Sequence, residues 1–490
     1  FSLTYGLRMD VPFFGDTGFT NAQANGFTFR DETGASVQYQ TQQLPEANIL
    51  WSPRVGFNWT PFSKSWLQVR GGTGVFTGRP AYVWISNQIG ENGILTGFEQ
   101  RDNTTTRPFH PNPDNYKQPA TGLPAASYGL AITNPDFRFP QIWRSSVGVD
   151  VRMPLGFIGG VEYIYNRDVN GVYYINANLA PANTAFTGID SRPRWTTSNR
   201  INSNVTSAIV LKNQDVGRSS NLSFTLERPF KNGLYLKAAY SYGEARNTVD
   251  PGSIAFGSFN NNPHTGDPNN PGLGYSFASP RNRIFGVFSY RREYFKFGAT
   301  SLSMFWETRN GGNGSYRFSG DLNGDGGTSN DLIYIPRDAS EMNFEEYTAS
   351  GTTFTVAQQQ AAWESFIQQD DYLSKNRGGY AERGAAFLPF DTRVDLNLTQ
   401  EVFLNAFGRT HRFQVRADVL NFGNLLNSDW GVSQAFTSTQ PLIARGADAD
   451  GRARYRLRNS GNQLISSPYQ KTANIGDVYR VQLTFRYIFD

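Results

Sequence analysis

The sequence predicts an all-β protein, and within that class a transmembrane antiparallel β-barrel. Apolar residues recur at every second position in segment after segment, the period of a strand with two unlike faces. The connections between those segments alternate between short and long. Aromatics reach 14%, led by 38 Phe and 24 Tyr, which suits strands and the girdles at a membrane interface. No stretch approaches the ~18 consecutive apolar residues of a transmembrane helix. A barrel hides its apolar residues by alternation, so a mean hydropathy of -0.48 does not exclude a membrane.

Taken in order, residues 1–10 set Phe1, Leu3, Tyr5, Leu7 and Met9 against Ser2, Thr4, Gly6, Arg8 and Asp10. Residues 54–60 place Val55, Phe57 and Trp59 on one face, and Leu67, Val69 and Val75 follow opposite Gln68 and Arg70. Trp143, Val147, Val149 and Val151 oppose Arg144, Asp150 and Arg152; Phe157, Val161, Tyr163 and Tyr165 oppose Glu162. Leu222, Phe224 and Leu226 oppose Thr225 and Glu227, and Leu234, Leu236, Ala238 and Tyr240 oppose Lys237 and Ser241. Ile284, Gly286, Phe288 and Tyr290 oppose Arg283 and Arg291, whereas 296–308 alternates less clearly. Val394, Leu396 and Leu398 oppose Arg393 and Asp395; Phe413, Val415, Ala417 and Val419 oppose Arg412, Arg416 and Asp418. The last segment, RVQLTFRYIFD (480–490), alternates Val481, Leu483, Phe485, Tyr487 and Phe489 with Arg480, Gln482, Thr484 and Arg486. These make about 12 strands, each close to the 9–11 residues a tilted strand needs to cross a bilayer.

The short connections are 60–65, 153–156, 228–233, the stretch around Glu293, and 405–410. The long ones cover roughly 11–51, 78–140, 167–217, 244–281, 309–392 and 423–477. Tight periplasmic turns and long external loops are the plan of an outer-membrane barrel, and the last strand then ends in the periplasm. Trp59, Trp66, Phe230, Tyr294, Phe295 and Phe403 sit at short turns, where rings suit the headgroup level. A soluble β-sandwich would account for the alternation. It would not account for the charge-free face, the loop asymmetry and the terminal aromatic together.

Composition narrows the function. With no cysteine there is no disulfide, Cys-zinc site or thiol catalysis. A net charge of +4 without a long basic run gives no sign of a nucleic-acid partner. No signal peptide opens the chain, and a start inside a strand reads as a chain whose front lies elsewhere.

Six motifs fall in a fixed order: LTYGLRMDVPF (3–13), SPRVGFNW (52–59), VRGGTGVFTGRP (69–80), LERPFKNGLYLKAAYSYGEA (226–245), DLNGDGGTSNDLIYIP (321–336) and DVLNFGNLLNSDWG (418–431). Together they resemble TonB-dependent outer-membrane receptors, in particular the Oar-like subfamily, over essentially the whole chain. The resemblance implies an N-terminal carboxypeptidase-regulatory-like domain, a TonB box, a plug and a 22-stranded barrel. Residues 1–490 would be the C-terminal portion of that barrel, with the plug and N-terminal domain absent from this chain. A complete 12-stranded barrel is the rival. The final strand resembles the C-terminal signal read by the outer-membrane assembly machinery, except that Asp490 follows the aromatic Phe489.

The best candidate site is DLNGDGGTSND (321–331). Asp321, Asn323 and Asp325 stand at i, i+2 and i+4, and Gly326 permits a sharp turn, as in the first half of an EF-hand calcium loop. The twelfth position is Leu332, so Asp331 is the nearest later carboxylate. The set Asp321, Asn323, Asp325 and Asp331 is read as a structural Ca2+ site, with a plain polar turn as the alternative. GADADG (446–451) is a weaker echo. In the longest loop, 309–392, Thr355 and Gln358 form a capping box ahead of a helix of about 16–20 residues, with Trp363, Phe366 and Ile367 on one face. His110, His264 and His411 are read as surface residues. GGTG (71–74) lacks the Lys-Ser/Thr of a phosphate loop and sits in a strand, where glycines would let the wall approach a plug. Neither HExxH nor GxSxG is present, and no carboxylate pair reads as catalytic. Arg70, Arg144, Glu162, Lys237, Asp395, Arg416 and Arg486 are mixed-sign charges of the interior face.

These readings make the chain a non-enzymatic outer-membrane transport receptor of a Gram-negative bacterium, embedded in lipid and lipopolysaccharide. By resemblance its partners are a TonB-ExbB-ExbD complex, reached through the missing N-terminal part, and a surface lipoprotein or a peptide or protein ligand. A surface adhesion protein and a passive porin are the alternatives.

Overall fold

The computed structural model describes residues 1–62, 66–95, 104–117 and 122–489. Twelve strands form one meander, each hydrogen-bonded to its neighbours in sequence order and all antiparallel. They are β1 (Ser2–Asp10), β2 (Leu50–Trp59), β3 (Leu67–Thr77), β4 (Gln141–Arg152), β5 (Ile158–Asp168), β6 (Arg218–Lys231), β7 (Leu234–Asn247), β8 (Arg281–Tyr294), β9 (Gly298–Asn310), β10 (Phe390–Ala406), β11 (Arg409–Leu420) and β12 (Arg480–Phe489). Every predicted strand is present, including the weakly alternating β9. A two-residue strand, Gly274–Tyr275, adds to the loop-side end of β7. β6 to β10 run 13 to 17 residues, longer than a bilayer requires, so the wall extends into the loop layer.

The register turns the alternation into two continuous surfaces. Across β8, β9 and β10, Phe288, Met304 and Leu396 stand side by side, as do Tyr290, Leu302 and Leu398. Val415, Ala417 and Val419 meet Phe485, Leu483 and Val481 on β12. This face is a predominantly apolar belt for lipid, with the Thr73–Ser145 pair among its few polar members. The opposite face is polar and internally paired. Arg70 reaches Asp150 at 3.0 Å and Glu162 at 2.8 Å, Lys237 reaches Glu227 at 3.1 Å, and Arg416 reaches Asp418 at 2.7 Å. By register Arg144, Asp395 and Arg486 share it.

The short connections are tight. Asn232 and Gly233 both have positive φ between paired Lys231 and Leu234, the conformation an Asn-Gly hairpin favours. Phe407 and Gly408 make the same turn after β10, with Phe407 98% exposed. The short turn 60–65 is described only in part, since 63–65 lie outside the described residues, as does Asp490. Rings cluster at this end: Phe62 stacks on Trp66 at 4.8 Å, and Phe295 packs on Tyr294 and Phe297. Phe403 departs from the expected girdle. It pairs with Arg412, whose guanidinium lies over its ring at 5.3 Å, and the register sets it on the polar face. The glycines of 71–74 serve neighbouring strands: a Cβ on Gly71 would meet the Phe57 ring at 2.9 Å, and one on Gly72 would meet the Val55 carbonyl at 2.8 Å.

Among the described residues of the twelve strands, only Leu50 and Ala299 are buried apolar residues; the core lies in the loops. The long connections are not structureless. Tyr128–Thr133, Val205–Gln214 and Gly171–Asn176 form a three-stranded sheet with Val205–Gln214 in the centre, parallel to the first and antiparallel to the second. Its run Ala208, Ile209, Val210 and Leu211 is buried on both faces, so it shows no period of two. One loop cluster gathers Phe29, Leu130, Ile175 and Val210; a second gathers Ile85, Phe137, Ile209 and Phe259. The third and largest includes Tyr316, Phe318, Trp363, Phe366 and Leu457.

The helix α1 (Val356–Gln368) begins with the expected capping box of Thr355 and Gln358. It is shorter than expected because Asp370 breaks the run. The Asp370 carboxylate accepts from the amides of Tyr372 and Leu373 and caps a second helix, α2 (Asp371–Lys375). Trp363, Phe366 and Ile367 are fully buried, so this face packs onto the loops' own core.

Candidate functional site

Four long loops converge on a cleft of about 660 Å³, within the ~300–1,000 Å³ of small-ligand sites. Glu91 and Tyr128 come from the connection between β3 and β4, Asn176, Asn199 and Arg200 from that between β5 and β6. Phe256 and Phe259 come from the β7–β8 connection, Asp325 and Asn330 from the β9–β10 connection. The lining alternates amides and hydroxyls with aromatic and aliphatic faces, a surface suited to a ligand rich in both hydrogen bonds and apolar groups. Burial pushes the Glu91 carboxyl up. Segments 96–103 and 118–121, in the same connection as Glu91, lie outside the described residues.

The DLNGDGGTSND turn forms one wall. Its side chains fold the turn back on itself. Asp321 accepts from the Gly324 and Gly326 amides at 2.7 and 2.9 Å, Asn323 from the Asp325 amide at 3.0 Å, and Asp325 from the Gly327 amide at 2.7 Å. Gly324 and Gly326 have φ of +87° and +99°, open to glycine at no steric cost. Burial, then the charge of Asp325, pushes the Asp321 carboxyl up to about 6 against those two amides.

Of the three carboxylates expected to share a cation, Asp325 and Asp331 come together with a histidine. Among the described residues, the candidate ligand atoms lying within 4.8 Å of one another belong to His264, Asp325 and Asp331. Asp325 and Asp331 come from the expected set, and Asp321 is outside the trio. His264 corrects the surface reading: it is 1% exposed, while His110 is exposed and His411 half-buried. A short parallel bridge holds it beside the turn, with the His264 amide donating to the Asn330 carbonyl and the Leu332 amide to the His264 carbonyl, both at 2.9 Å. Nothing in the Asn/Pro/Gly-rich sequence around His264 signals this pairing.

Behind the trio lies Arg192, fully buried between Asp190 at 2.9 Å and Asp331 at 3.3 Å, with the rings of Phe318 and Tyr380 against it. Burial pushes the Asp331 carboxyl up despite that guanidinium. Asp325 is also buried, yet His264 beside it brings its carboxyl below the usual range. The GADADG echo closes a loop hairpin, in which Asp448 accepts from the amides of Asp450 and Arg452 and pairs with the Arg452 side chain.

No curated protein matches the chain. Three solved structures illustrate its structural likeness. The ferric enterobactin receptor PfeA from Pseudomonas aeruginosa aligns with a TM-score of 0.37 and 8% identity over 90% of this chain and 40% of that one. The FrpB iron transporter from Neisseria meningitidis gives 0.39 and 9%, over 100% and 43%. The copper transporter OprC gives 0.38 and 8%, over 99% and 45%. The chain thus spans less than half the length of each. The outer membrane beta barrel domain family matches residues 1–441. With a twelve-stranded antiparallel wall, an apolar belt and long loops at one end, the chain belongs to that family and resides in the outer membrane of a Gram-negative bacterium.

Proposed function

We propose that the chain is the C-terminal barrel portion of a TonB-dependent transporter of the Oar-like type, whose loops capture a ligand in the four-loop cleft. The observation that carries the reading is the state of the sheet. Among the described residues neither the outer edge of β1 nor that of β12 is paired. An unpaired edge in lipid leaves backbone donors and acceptors unsatisfied, at several kcal/mol each, so further strands of the same polypeptide would close the wall toward 22. The paired, mixed-sign polar face then lines a hydrated interior against which a plug would rest. Energy reaches the plug through TonB and its inner-membrane partners, and the barrel performs no covalent chemistry. The amide-rich, aromatic cleft favours a peptide-like ligand, free or carried on a surface lipoprotein.

The test is the intact mass and N-terminal sequence of the protein purified from outer membranes, followed by conductance in planar bilayers. A mass about twice 54.7 kDa, an upstream plug and no steady current are expected. A self-contained chain near 54.7 kDa that conducts as an open pore would overturn the proposal in favour of a porin.

A further inference from the structure

We infer that His264, Asp325 and Asp331 form a site for a borderline divalent transition metal, with zinc the representative ion, that staples the β7–β8 loop to the β9–β10 loop at the wall of the cleft. Three independent observations lead there.

The first is the state of His264. It is 1% exposed, and neither ring nitrogen makes a hydrogen bond. Its Nε2 lies 3.0 Å from Asp325 Oδ2, a contact distance without hydrogen-bond direction. Leaving a buried polar group without partners is costly, so an imidazole in this state calls for an occupant. Two ligands of one ion, each at about 2.1 Å and separated by 90–110°, stand roughly 3.0–3.4 Å apart with no proton between them.

The second is charge. Asp190, Asp325 and Asp331 are buried, and Arg192 is the buried guanidinium among them. Its single charge is shared between Asp190 and Asp331, so with the His264 imidazole neutral the three carboxylates are short of two positive charges. Unpaired buried carboxylates are expensive, and a divalent ion matches that shortfall.

The third is the scaffold. The turn that presents Asp325 is locked by its own Asx hydrogen bonds, and Asp331 is held by the Leu322 amide at 3.0 Å and by Arg192. The backbone bridge between residues 264 and 331 fixes the imidazole against both. Asn330 Oδ1, on the same turn, is a further buried acceptor without a partner. The ligands are therefore oriented before any ion arrives, as outer-shell hydrogen bonds orient metal ligands generally.

The donor set decides the metal. Calcium and magnesium take oxygen alone, whereas one imidazole with two carboxylates suits zinc, manganese, iron or nickel. The inference keeps Asp325 and Asp331 from the sequence-level expectation, replaces Asp321 and Asn323 by His264, and changes the ion. It stands independently of the transport reading.

The experiment uses the full-length protein purified in detergent, stripped with chelator, and dialysed separately against micromolar zinc, cobalt or millimolar calcium. Metal content is compared between wild type, H264Q and H110Q, each first shown to keep the heat-modifiable mobility of a folded barrel. Wild type and H110Q are expected to hold one more equivalent of zinc than H264Q. Cobalt should give a visible d–d band that H264Q lacks, and zinc should slow proteolysis of residues 248–280. If H264Q fails to fold, D325N serves as the second variant with the same expected loss. Equal zinc in wild type and H264Q, or loss in H110Q instead, would overturn the site. So would saturable calcium binding, indifferent to H264Q, with no zinc bound.

Discussion

Met304 and Ser303 are adjacent on β9 and face opposite sides of the wall, so one pair of substitutions tests the orientation of the sheet. Met304 is flanked by Phe288 and Leu396 in the apolar belt and is 38% exposed. Ser303 exchanges a 2.8 Å hydrogen bond with Ser289 on the polar face. At ~3.3 Å per residue and a tilt of ~45°, six residues of strand on either side set Met304 about 14 Å from each end, near the midplane. An arginine there meets hydrocarbon on all sides and costs about 2–4 kcal/mol. At Ser303 the same side chain enters a hydrated interior already lined with ion pairs, and the cost should stay below about 1 kcal/mol. The assay is reversible urea unfolding of the full-length protein in liposomes, read by tryptophan fluorescence and heat-modifiable mobility. M304R should lower the unfolding free energy by several-fold more than S303R. Equal costs, or a larger cost for S303R, would refute the assignment of the faces.

Two further outcomes follow from the loop layer. Trp363 is fully buried and stacks on Phe366 at 5.2 Å, so W363A should cost about 3–5 kcal/mol of local stability. Limited proteolysis should then cut within 311–389 while the heat-modifiable mobility of the barrel is kept; loss of both together would mean that loops and wall fold as one unit. Asp477 lies just before β12. Burial raises its carboxyl, but hydrogen bonds from Thr472, Ser433 and Asn474 outweigh this and hold it at about 2, below the usual 3.8. The folded value is the lower one, so its contribution of about 1–2 kcal/mol is complete above pH ~4 and fades as pH falls through ~2. Pepsin cleavage of 423–477 should accelerate over that range relative to an unrelated substrate. In D477N the same region should be cleaved readily at both ends of the range.

The spanning strands were legible, β9 least clearly, because lipid enforces a rule on them: one face predominantly apolar, every second residue, for the width of the bilayer. Where that rule lapses, the sequence loses its voice. The central loop strand carries Ser207, Ala208, Ile209, Val210 and Leu211 without alternation because both of its faces are covered by protein. The capping box of α1 was legible because it is local, contained in Thr355 to Gln358. The break at Asp370 was not, because an aspartate inside a helix-prone run reads as one more polar residue until its carboxylate is seen to cap the next turn. The same contrast runs through the candidate site. The Asp-x-Asn-x-Asp-Gly turn is a local signal and was found. His264 joins it through a two-residue bridge between separate loops, and such pairings leave no mark on either segment alone.

The distribution of buried apolar residues bears on how the molecule works. A soluble sheet hides one face in a core, but this wall turns that face to lipid and its other face to a polar interior, so its own interior contributes almost no hydrophobic burial. The loops instead carry three apolar clusters of their own. Cores of that kind fix side chains in place, so the cleft is formed before a ligand arrives, and binding there does not have to order long flexible segments. The same cores make the loop layer separable from the wall, since neither depends on the other for its main hydrophobic contacts. Under the proposed transport function, a ligand seated among the four loops would need a second event to reach the interior, with some loops moving apart while their clusters stay intact. The clusters mark where that movement is cheap. Phe186 is the member of the largest cluster drawn from the β5–β6 connection, most of whose other buried apolar residues belong to the other two, Leu179 and Trp195 excepted. The seam between the β5–β6 loop and the β9–β10 loop is thus thinly packed with apolar side chains. Polar contacts across it include Arg192 reaching Asp331 and the Leu332 carbonyl, the Trp195 amide donating to the Asn323 carbonyl, the Asn199 side chain donating to the Gly324 carbonyl and the Tyr380 hydroxyl donating to Asp190. Opening along that seam breaks polar contacts that water can replace, whereas opening through a cluster would expose apolar surface that water cannot satisfy.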